Sequence, residues 1–214
     1  NRLRDTMIVL TSDHGDYLGD HWLGEKNLFH DPSVKVPMII FDPRSDADTT
    51  RGTTNDALVE SIDLAATFID FCGGQVPDHI VEGVSLMPFL HGKKVENWRE
   101  FAVSEYDYST SPMAVNLGLE PRDARLFMVA DKRWKFMHAT GADANGPFPA
   151  MLFDRENDPQ EFHDLGRSEE HRPILDLMYQ RLGQWGTRMS QRTTISEQDI
   201  LNMRGGSRRK GIVL

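Results

Sequence analysis

Cysteine is almost absent. Cys72 stands alone in 214 residues, so no internal disulfide framework can form. Long apolar runs are missing as well: nothing approaches the ~20 residues that a membrane-spanning helix requires. No basic segment followed by an apolar one opens the chain, so no signal peptide is visible. Excess positive charge is lacking too. The formal net charge is −9, which argues against bulk attraction to nucleic acid. The one basic cluster, Arg204 to Lys210, reads as a solvated tail. From these absences we expect no nucleic acid and no membrane as partner, and a cytoplasmic rather than a periplasmic location. The chain begins "NRLRD", which reads like the tail of a polar helix, so a fragment of a longer protein is expected.

What is present is enough for a folded unit. Hydrophobic residues make up 39% of the chain, which can supply a core, and charged residues 27%, which favours solubility. "TMIVLT" (6–11) and "VPMIIF" (36–41) are nearly continuous apolar runs. Such runs fit strands buried on both faces, as in a parallel sheet covered by helices. Between them lie about two dozen residues rich in Gly, Asp, His and Asn, and loops of that length inside a domain are usually functional or disordered. Residues 55–71 have helical spacing, with Leu58, Ile62, Ala65, Ala66 and Ile69 on one face and Gly73-Gly74 as the stop. A turn and a short helical element are expected over 83–90.

After Asn97 the texture changes. The runs 101–108, 125–131 and 133–140 are β-like, and "ADKR" is tight enough for a hairpin. "MLFD" (151–154) makes a fourth short strand. Residues 174–189 form an amphipathic helix with Leu175, Met178, Leu182 and Trp185 on one side, and 196–203 a last short one. The expected fold class is α/β: part of a sheet sandwiched by helices, then a small antiparallel β lobe with a helix. The expected division is 1–96, 97–190 and a tail at 191–214.

The chemistry concentrates where the first strand ends. Asp13 offers a hard anionic oxygen and His14 a ring nitrogen, and Gly15 permits a sharp turn. A metal site is one reading. The other is that Asp13 caps a turn and His14 packs beneath it. A calcium loop started at Asp13 fails, because Leu18 stands at the glycine position and Gly24 at the closing glutamate. A phosphate loop fails because Lys26 is one residue late and Asn27 replaces the hydroxyl residue. The H-E-x-x-H helix is absent. What is left is a divalent-metal site with further ligands from elsewhere, and an ammonium, Lys26, able to neutralise a tetrahedral oxyanion.

The stretch "TSDHGDYLGDHWLGEKNLFHDPSVKVPMIIFDP" resembles the C-terminal metal-binding segment of the sulfatases and phosphonate monoester hydrolases of the alkaline phosphatase superfamily. "SIDLAATFIDFCG" is similar to the family's D-[LI]-x-[PA]-T helix, "EGVSLMPFL" to its G-x-S-L-x-P-x-L segment, and "RWKFMH" to a late R-x-K-[YF] strand. "LFDRENDPQEFHDL" resembles L-[YF]-D-x-x-x-D-P-x-E-x-x-[ND]-L. Five such pieces in family order span nearly the whole chain. The resemblance implies an alkaline phosphatase-like fold and hydrolysis of a small anionic sulfate, phosphate or phosphonate ester. It makes Asp13 and His14 ligands of one divalent ion and Lys26 the contact to the anion. Manganese and calcium are the candidate ions, with zinc a third; a nitrogen ligand favours manganese or zinc over calcium.

The family's nucleophile is a formylglycine made from Cys or Ser in C/S-x-P-x-R. This chain has no such motif. Cys72 sits in "CGGQV" and reads as a packed thiol, and "TSPMA" (110–114) lacks the arginine. The nucleophile and the remaining metal carboxylates are therefore expected in an N-terminal half of the same polypeptide, and the present chain alone is expected to be inactive. The extended tail leans towards the phosphonate hydrolase branch, in which such tails join subunits, so a homo-oligomer is expected. Two alternatives stay open: a cofactor-independent phosphomutase of the same superfamily, and a non-catalytic assembly fragment. His21 is assigned a structural hydrogen bond and Asp20 an ordinary loop position, while Asp16 is either a loop carboxylate or a group behind the ligands. Tyr106, Tyr108 and Arg125 are candidates to shape a pocket from the small lobe, and Trp134 and Trp185 are assigned to the core. The other histidines receive no role.

Overall fold

The computed structural model describes residues 2–140 and 149–190, together with 196, 198, 199 and 202. Among the described residues six strands form two sheets. β1 (Ile8–Thr11) pairs with β2 (Met38–Phe41), and β3 (Ala102–Asp107), β4 (Arg125–Ala130), β5 (Trp134–Ala139) and β6 (Met151–Asp154) lie side by side in chain order. The helices are α1 (Asp31–Val34), α2 (Asp63–Phe71), α3 (Met87–Leu90), α4 (Pro112–Asn116) and α5 (Arg172–Ser190). The result is a mixed α/β chain: a two-stranded sheet with short helices, then a four-stranded antiparallel sheet backed by one long helix.

The first pair of strands departs from expectation. β1 and β2 run antiparallel, with Ile8 opposite Phe41 and Leu10 opposite Ile39. A parallel return would need a crossover that carries the chain back along the strand, usually on a helix. Here α1 is a single turn of four residues, and the connection stays at one end of the sheet. Nor is this sheet buried on both faces. Ile8, Leu10, Ile39 and Phe41 share a face and are 39–63% exposed. An apolar run predicts that a strand will be covered; it does not say that the same chain supplies the cover.

The second sheet follows its pattern closely. Alternation along β4 sends Leu126, Met128 and Ala130 to one face, where they meet Phe29, Tyr108, Ala114, Met137 and Phe153. Val129, Phe136 and Leu152 point the other way and pack against Leu175 and Met178 of α5. The sheet is therefore a wall. One side holds α5, and the other side holds the segment that follows β1. The β4–β5 hairpin closes as predicted: the Asp131 carboxylate accepts from the N–H groups of Arg133 and Trp134 at 2.8 and 2.6 Å.

α2 starts at Asp63, not near Asn55 as its periodicity implied. The Asp63 carboxylate is buried and tied elsewhere. It accepts from the N–H of Glu60 and Val84 and is gripped by both Nη atoms of Arg99 at 2.5 Å. These bonds hold residues 60–63 as a turn. Thr67 on the next turn accepts from the Leu86 N–H at 2.9 Å, joining α2 to the segment before α3.

Cys72 follows the last residue of α2 but is exposed, so the packed thiol is corrected. The short helix expected over 196–203 and the tail to 214 fall largely outside the described residues. Among the described residues no helix is long and apolar enough to cross a membrane.

Candidate metal and anion site

β1 delivers Asp13 and His14 to its C-terminal end, and the backbone there is fixed by contacts with α1. The Gly15 N–H donates to the Ser33 carbonyl at 2.7 Å. A Cβ at Gly15 would lie 1.9 Å from the Pro32 carbonyl oxygen, so only glycine allows this approach. Ser33 in turn donates its hydroxyl to the Lys26 carbonyl at 2.7 Å. One buried serine therefore ties both ends of the site together.

The three predicted site residues do meet. His14 Nδ1 lies 2.7 Å from the Gly15 carbonyl, which can only accept, so the proton sits on Nδ1. That leaves the Nε2 lone pair free. Lys26 Nζ is 2.7 Å from Nε2 and donates to it, and Asp13 Oδ2 lies 3.5 Å from the same nitrogen. Asp13 is open to solvent, and its other oxygen accepts the His14 N–H at 3.0 Å. When the imidazole is protonated, its charge lowers the Asp13 carboxyl below the ordinary value. A carboxylate oxygen and an imidazole nitrogen in the right tautomer suit a divalent ion as neighbouring ligands. They make half a site: no cluster of three or more His, Cys, Asp or Glu side chains able to hold a metal occurs among the described residues.

Between His14 and Lys26 the chain makes a closed loop. Its neck is the bond from the Tyr17 N–H to the Glu25 carbonyl at 3.0 Å. Leu18, His21, Trp22 and Glu25 all have positive φ, from 48° to 62°, a strain that tight turns of L-residues store. His21 stacks on His30 at 4.0 Å between ring centroids and lies beside Phe162. Ring packing holds it in place of the expected hydrogen bond, and it does not join Asp13 and His14. Asp16 accepts the Leu18 N–H at 2.8 Å and shapes the turn, and Asp20 begins a single 3-10 turn. Both are loop carboxylates.

The groups that sequence reasoning passed over lie beneath the loop. The buried Tyr17 hydroxyl accepts the His30 backbone N–H at 3.1 Å and donates to His30 Nδ1 at 2.8 Å. Burial, with the neighbouring His21 and Lys135, brings the His30 pKa down to about 4, so His30 is a neutral acceptor. Burial also pushes the Tyr17 phenol up to about 12.

One turn on, Lys135 reaches from β5 through the sheet face and sets Nζ 2.5 Å from both Asp31 Oδ1 and Glu161 Oε1. Glu161 also accepts the Asp31 N–H at 2.8 Å. Burial opposes the Asp31 charge, but Lys135 outweighs it and holds the carboxyl low; burial dominates at Glu161 and raises it. The signals existed: Lys135 is the lysine of the R-x-K strand and Glu161 the glutamate of the D-P-x-E stretch. Neither motif said that the two would touch.

Of the three small-lobe candidates Tyr106 lines a cavity beside the site loop. Tyr108 is buried in the core and Arg125 is paired with Asp107 at 3.1 Å. Trp134 and Trp185 are half-buried and flank the core rather than fill it.

Comparison with known proteins identifies the family. The model of the N-sulphoglucosamine sulphohydrolase C-terminal family matches residues 19–188. The chain belongs to this sulfatase family. The match includes Lys26 and begins after Asp13 and His14. This sulfatase-family chain is 30% identical over 194 residues to the multifunctional alkaline phosphatase superfamily protein PehA of Trinickia caryophylli, covering 88% of this chain and 36% of that protein. It is 28% identical to an arylsulfatase of Clostridium perfringens, covering 83% and 33%. The crystal structure of a phosphonate monoester hydrolase of Agrobacterium radiobacter superimposes with a TM-score of 0.77 at 29% identity, over 86% of this chain and 36% of that one. The chain thus spans about a third of the length of the curated relatives it matches.

Proposed function

We propose that this chain is the C-terminal part of a metal-dependent hydrolase of sulfate, phosphonate or phosphate esters. In this reading Asp13 and His14 hold one divalent ion and Lys26 meets the substrate anion. The observation that supports it is the His14 ring. Its Nδ1 proton is committed to the Gly15 carbonyl, and its Nε2 lone pair lies between the Asp13 carboxylate and the Lys26 ammonium. A bound divalent ion would polarise the ester and help to generate the nucleophile. The nucleophile, a formylglycine by family resemblance, would come from polypeptide outside this chain, as would the remaining ligands.

This chain's own groups do the rest. Asp13 and His14 supply one negative and one neutral donor, leaving net positive charge on a divalent ion. Lys26 adds a mobile point charge beside it. One lone pair cannot serve an ammonium and a cation at once, so metal at Nε2 frees Lys26 Nζ for the anion. The Ser33 bond to the Lys26 carbonyl keeps the backbone of that lysine fixed while its side chain moves.

His14 bears on the choice of ion and ester. A nitrogen donor favours manganese or zinc over calcium, and on the family resemblance we prefer the phosphonate hydrolase branch. The match to a sulfatase C-terminal family favours the hydrolase over the phosphomutase alternative. A cytoplasmic location and a homo-oligomer joined through residues 191–214 are parts of the same proposal.

The test uses the longer protein that contains this chain. Its metal content is measured, and turnover of an aryl sulfate and a phosphonate monoester is compared. We expect one divalent ion per chain, lost in Asp13→Ala and His14→Ala, and activity on at least one ester. Full metal occupancy in the Asp13→Ala/His14→Ala double variant would overturn the proposal.

A further inference from the structure

Lys26 is exposed and lies in irregular backbone, outside any helix or strand. The placement of its main chain therefore rests on few bonds. On the loop side, the Glu25 carbonyl accepts from the Tyr17 N–H at 3.0 Å. The Lys26 carbonyl itself accepts from the Ser33 hydroxyl at 2.7 Å. Ser33 is 3% exposed and belongs to α1, where its N–H donates to the His30 carbonyl at 2.9 Å. The small lobe pins the same turn: the Asp31 N–H donates to Glu161 at 2.8 Å, and Lys135 holds the Asp31 carboxylate. A fixed serine thus grips the root of an exposed lysine. We infer that Ser33 is the positioning residue of the anion contact: its hydroxyl sets where Lys26 stands, while its carbonyl, through Gly15, separately sets where Asp13 and His14 stand. The inference rests on the ester-hydrolase reading and adds to it the residue that keeps the two arms of the site in register.

The two bonds differ in kind. The one from the Gly15 N–H to the Ser33 carbonyl joins main chain to main chain and does not depend on the side chain at 33. Nor does the close approach of Gly15 to the Pro32 carbonyl. The bond to the Lys26 carbonyl is made by the serine side chain and is lost with it. Ser33→Ala therefore releases the anion arm and leaves the metal arm in place. Once released, the stretch from Glu25 to Lys26 keeps only the neck bond to Tyr17. A misplacement of about 1 Å at a group that meets the substrate can cost about a hundredfold in rate. The four-carbon stem of lysine absorbs part of such a shift, which sets the expected loss nearer to about tenfold.

The experiment compares the longer protein with its Ser33→Ala, Lys26→Met and double variants. Ser33→Ala deletes one oxygen and adds no volume, which favours folding. Its kcat/KM should fall about tenfold on whichever of the aryl sulfate and the phosphonate monoester the wild type turns over. Its manganese affinity should stay that of the wild type. In the Lys26→Met background the same substitution should change turnover by less than about twofold, because the group it positions is already gone. Equal losses in both backgrounds would mean that Ser33 supports the fold at large. A parallel loss of manganese affinity would mean that the two arms are not held separately. Either result overturns the inference. The 15N shift of His14 Nε2 in the metal-free protein gives a readout that needs no turnover, since that nitrogen accepts from Lys26 at 2.7 Å. In Ser33→Ala it should move towards its position in Lys26→Met. If the wild type turns over no ester and the shift still moves in this way, the hydrolase reading fails and the positioning role stands. If ester is turned over and Ser33→Ala alters neither the rate nor the shift, the positioning role alone fails.

Discussion

The Lys135 ammonium lies 2.5 Å from the Asp31 carboxylate, across 104 residues of chain. It is 1% exposed and touches Glu161 as closely. This contact fixes α1 against the four-stranded sheet, and α1 in turn holds Gly15 and, through Ser33, Lys26. The site loop is therefore positioned by the small lobe, not by its own turns.

Removing that cation should be costly. Lys135→Met strands the buried Glu161 carboxylate and leaves the half-buried Asp31 only Arg155 and Lys35, each at 3.6 Å; it should destabilise by about 3 kcal/mol, the low end of the range for breaking a buried pair from one side. Adding Asp31→Asn and Glu161→Gln should recover a large part of the loss, because the stranded charges are then gone. Urea unfolding of the three proteins checks this. A single variant as stable as the wild type would show that the pair does not anchor the loop.

Acid should loosen the same region through His30. Its folded pKa of about 4 lies below the ~6.5 of an unfolded histidine, so between these values the unfolded chain binds the extra proton more readily. The stability tied to neutral His30 is complete above about pH 6.5 and falls as the pH drops towards 4, by no more than about 3 kcal/mol. Glu161, raised by burial, works in the opposite sense. The difference between wild type and His30→Gln therefore isolates the histidine: urea midpoints at pH 7 and pH 4.5 should diverge less in the variant.

Gly15→Ala tests the close approach under the metal ligands. The new methyl meets backbone, the Pro32 carbonyl at 1.9 Å, and backbone cannot rotate out of the way. We expect a loss of about 2 kcal/mol or more and a displaced His14. The displacement should show as weakened metal binding in the longer protein, measured by equilibrium dialysis, even where the variant stays folded.

The uncovered face of the first sheet leads to a further expectation. Ile8, Leu10, Ile39 and Phe41 form one contiguous apolar patch. Patches of this kind mark a missing partner or an aggregation hazard. We assign the cover to the polypeptide that the curated relatives have and this chain does not span. The 214-residue chain expressed alone should bind a hydrophobic dye and turn over no ester, and co-expression with the rest of the longer protein proposed above should abolish dye binding. Dye binding unchanged on co-expression would place the cover elsewhere.

These findings show which parts of the fold the sequence could reveal. The four strands and α5 of the small lobe were legible because their periodicity is satisfied within the chain: β4 alternates between two cores that this chain itself provides. The first sheet was misread because the described chain leaves one face of its apolar runs exposed, and because a continuous apolar run carries no information on strand direction. Asp13, His14 and Lys26 were found because they lie close in sequence. Lys135, Asp31 and Glu161 were not connected because only the fold brings them together, although each stands in a stretch that carries the family resemblance. The helix at 55–71 was drawn too long because Asp63 spends its carboxylate on Arg99 and on two N–H groups, a tertiary choice that periodicity cannot encode.

The most discriminating variant is Lys26→Met. If Lys26 were a metal-site support, its loss would weaken metal binding. The geometry argues the reverse. The ammonium donates to His14 Nε2 at 2.7 Å, the lone pair a cation must use, and it is a like charge beside that cation. Removing it deletes both a competing proton donor and a repulsion. Metal affinity of the longer protein should therefore hold or rise in Lys26→Met, by up to about tenfold. Turnover should still fall by about a hundredfold or more, since a point charge opposite the developing anion is gone. Titration with manganese, followed by dialysis and steady-state assay, separates the two effects. A drop in metal affinity together with activity would mean that Lys26 props the ion and that another group receives the anion.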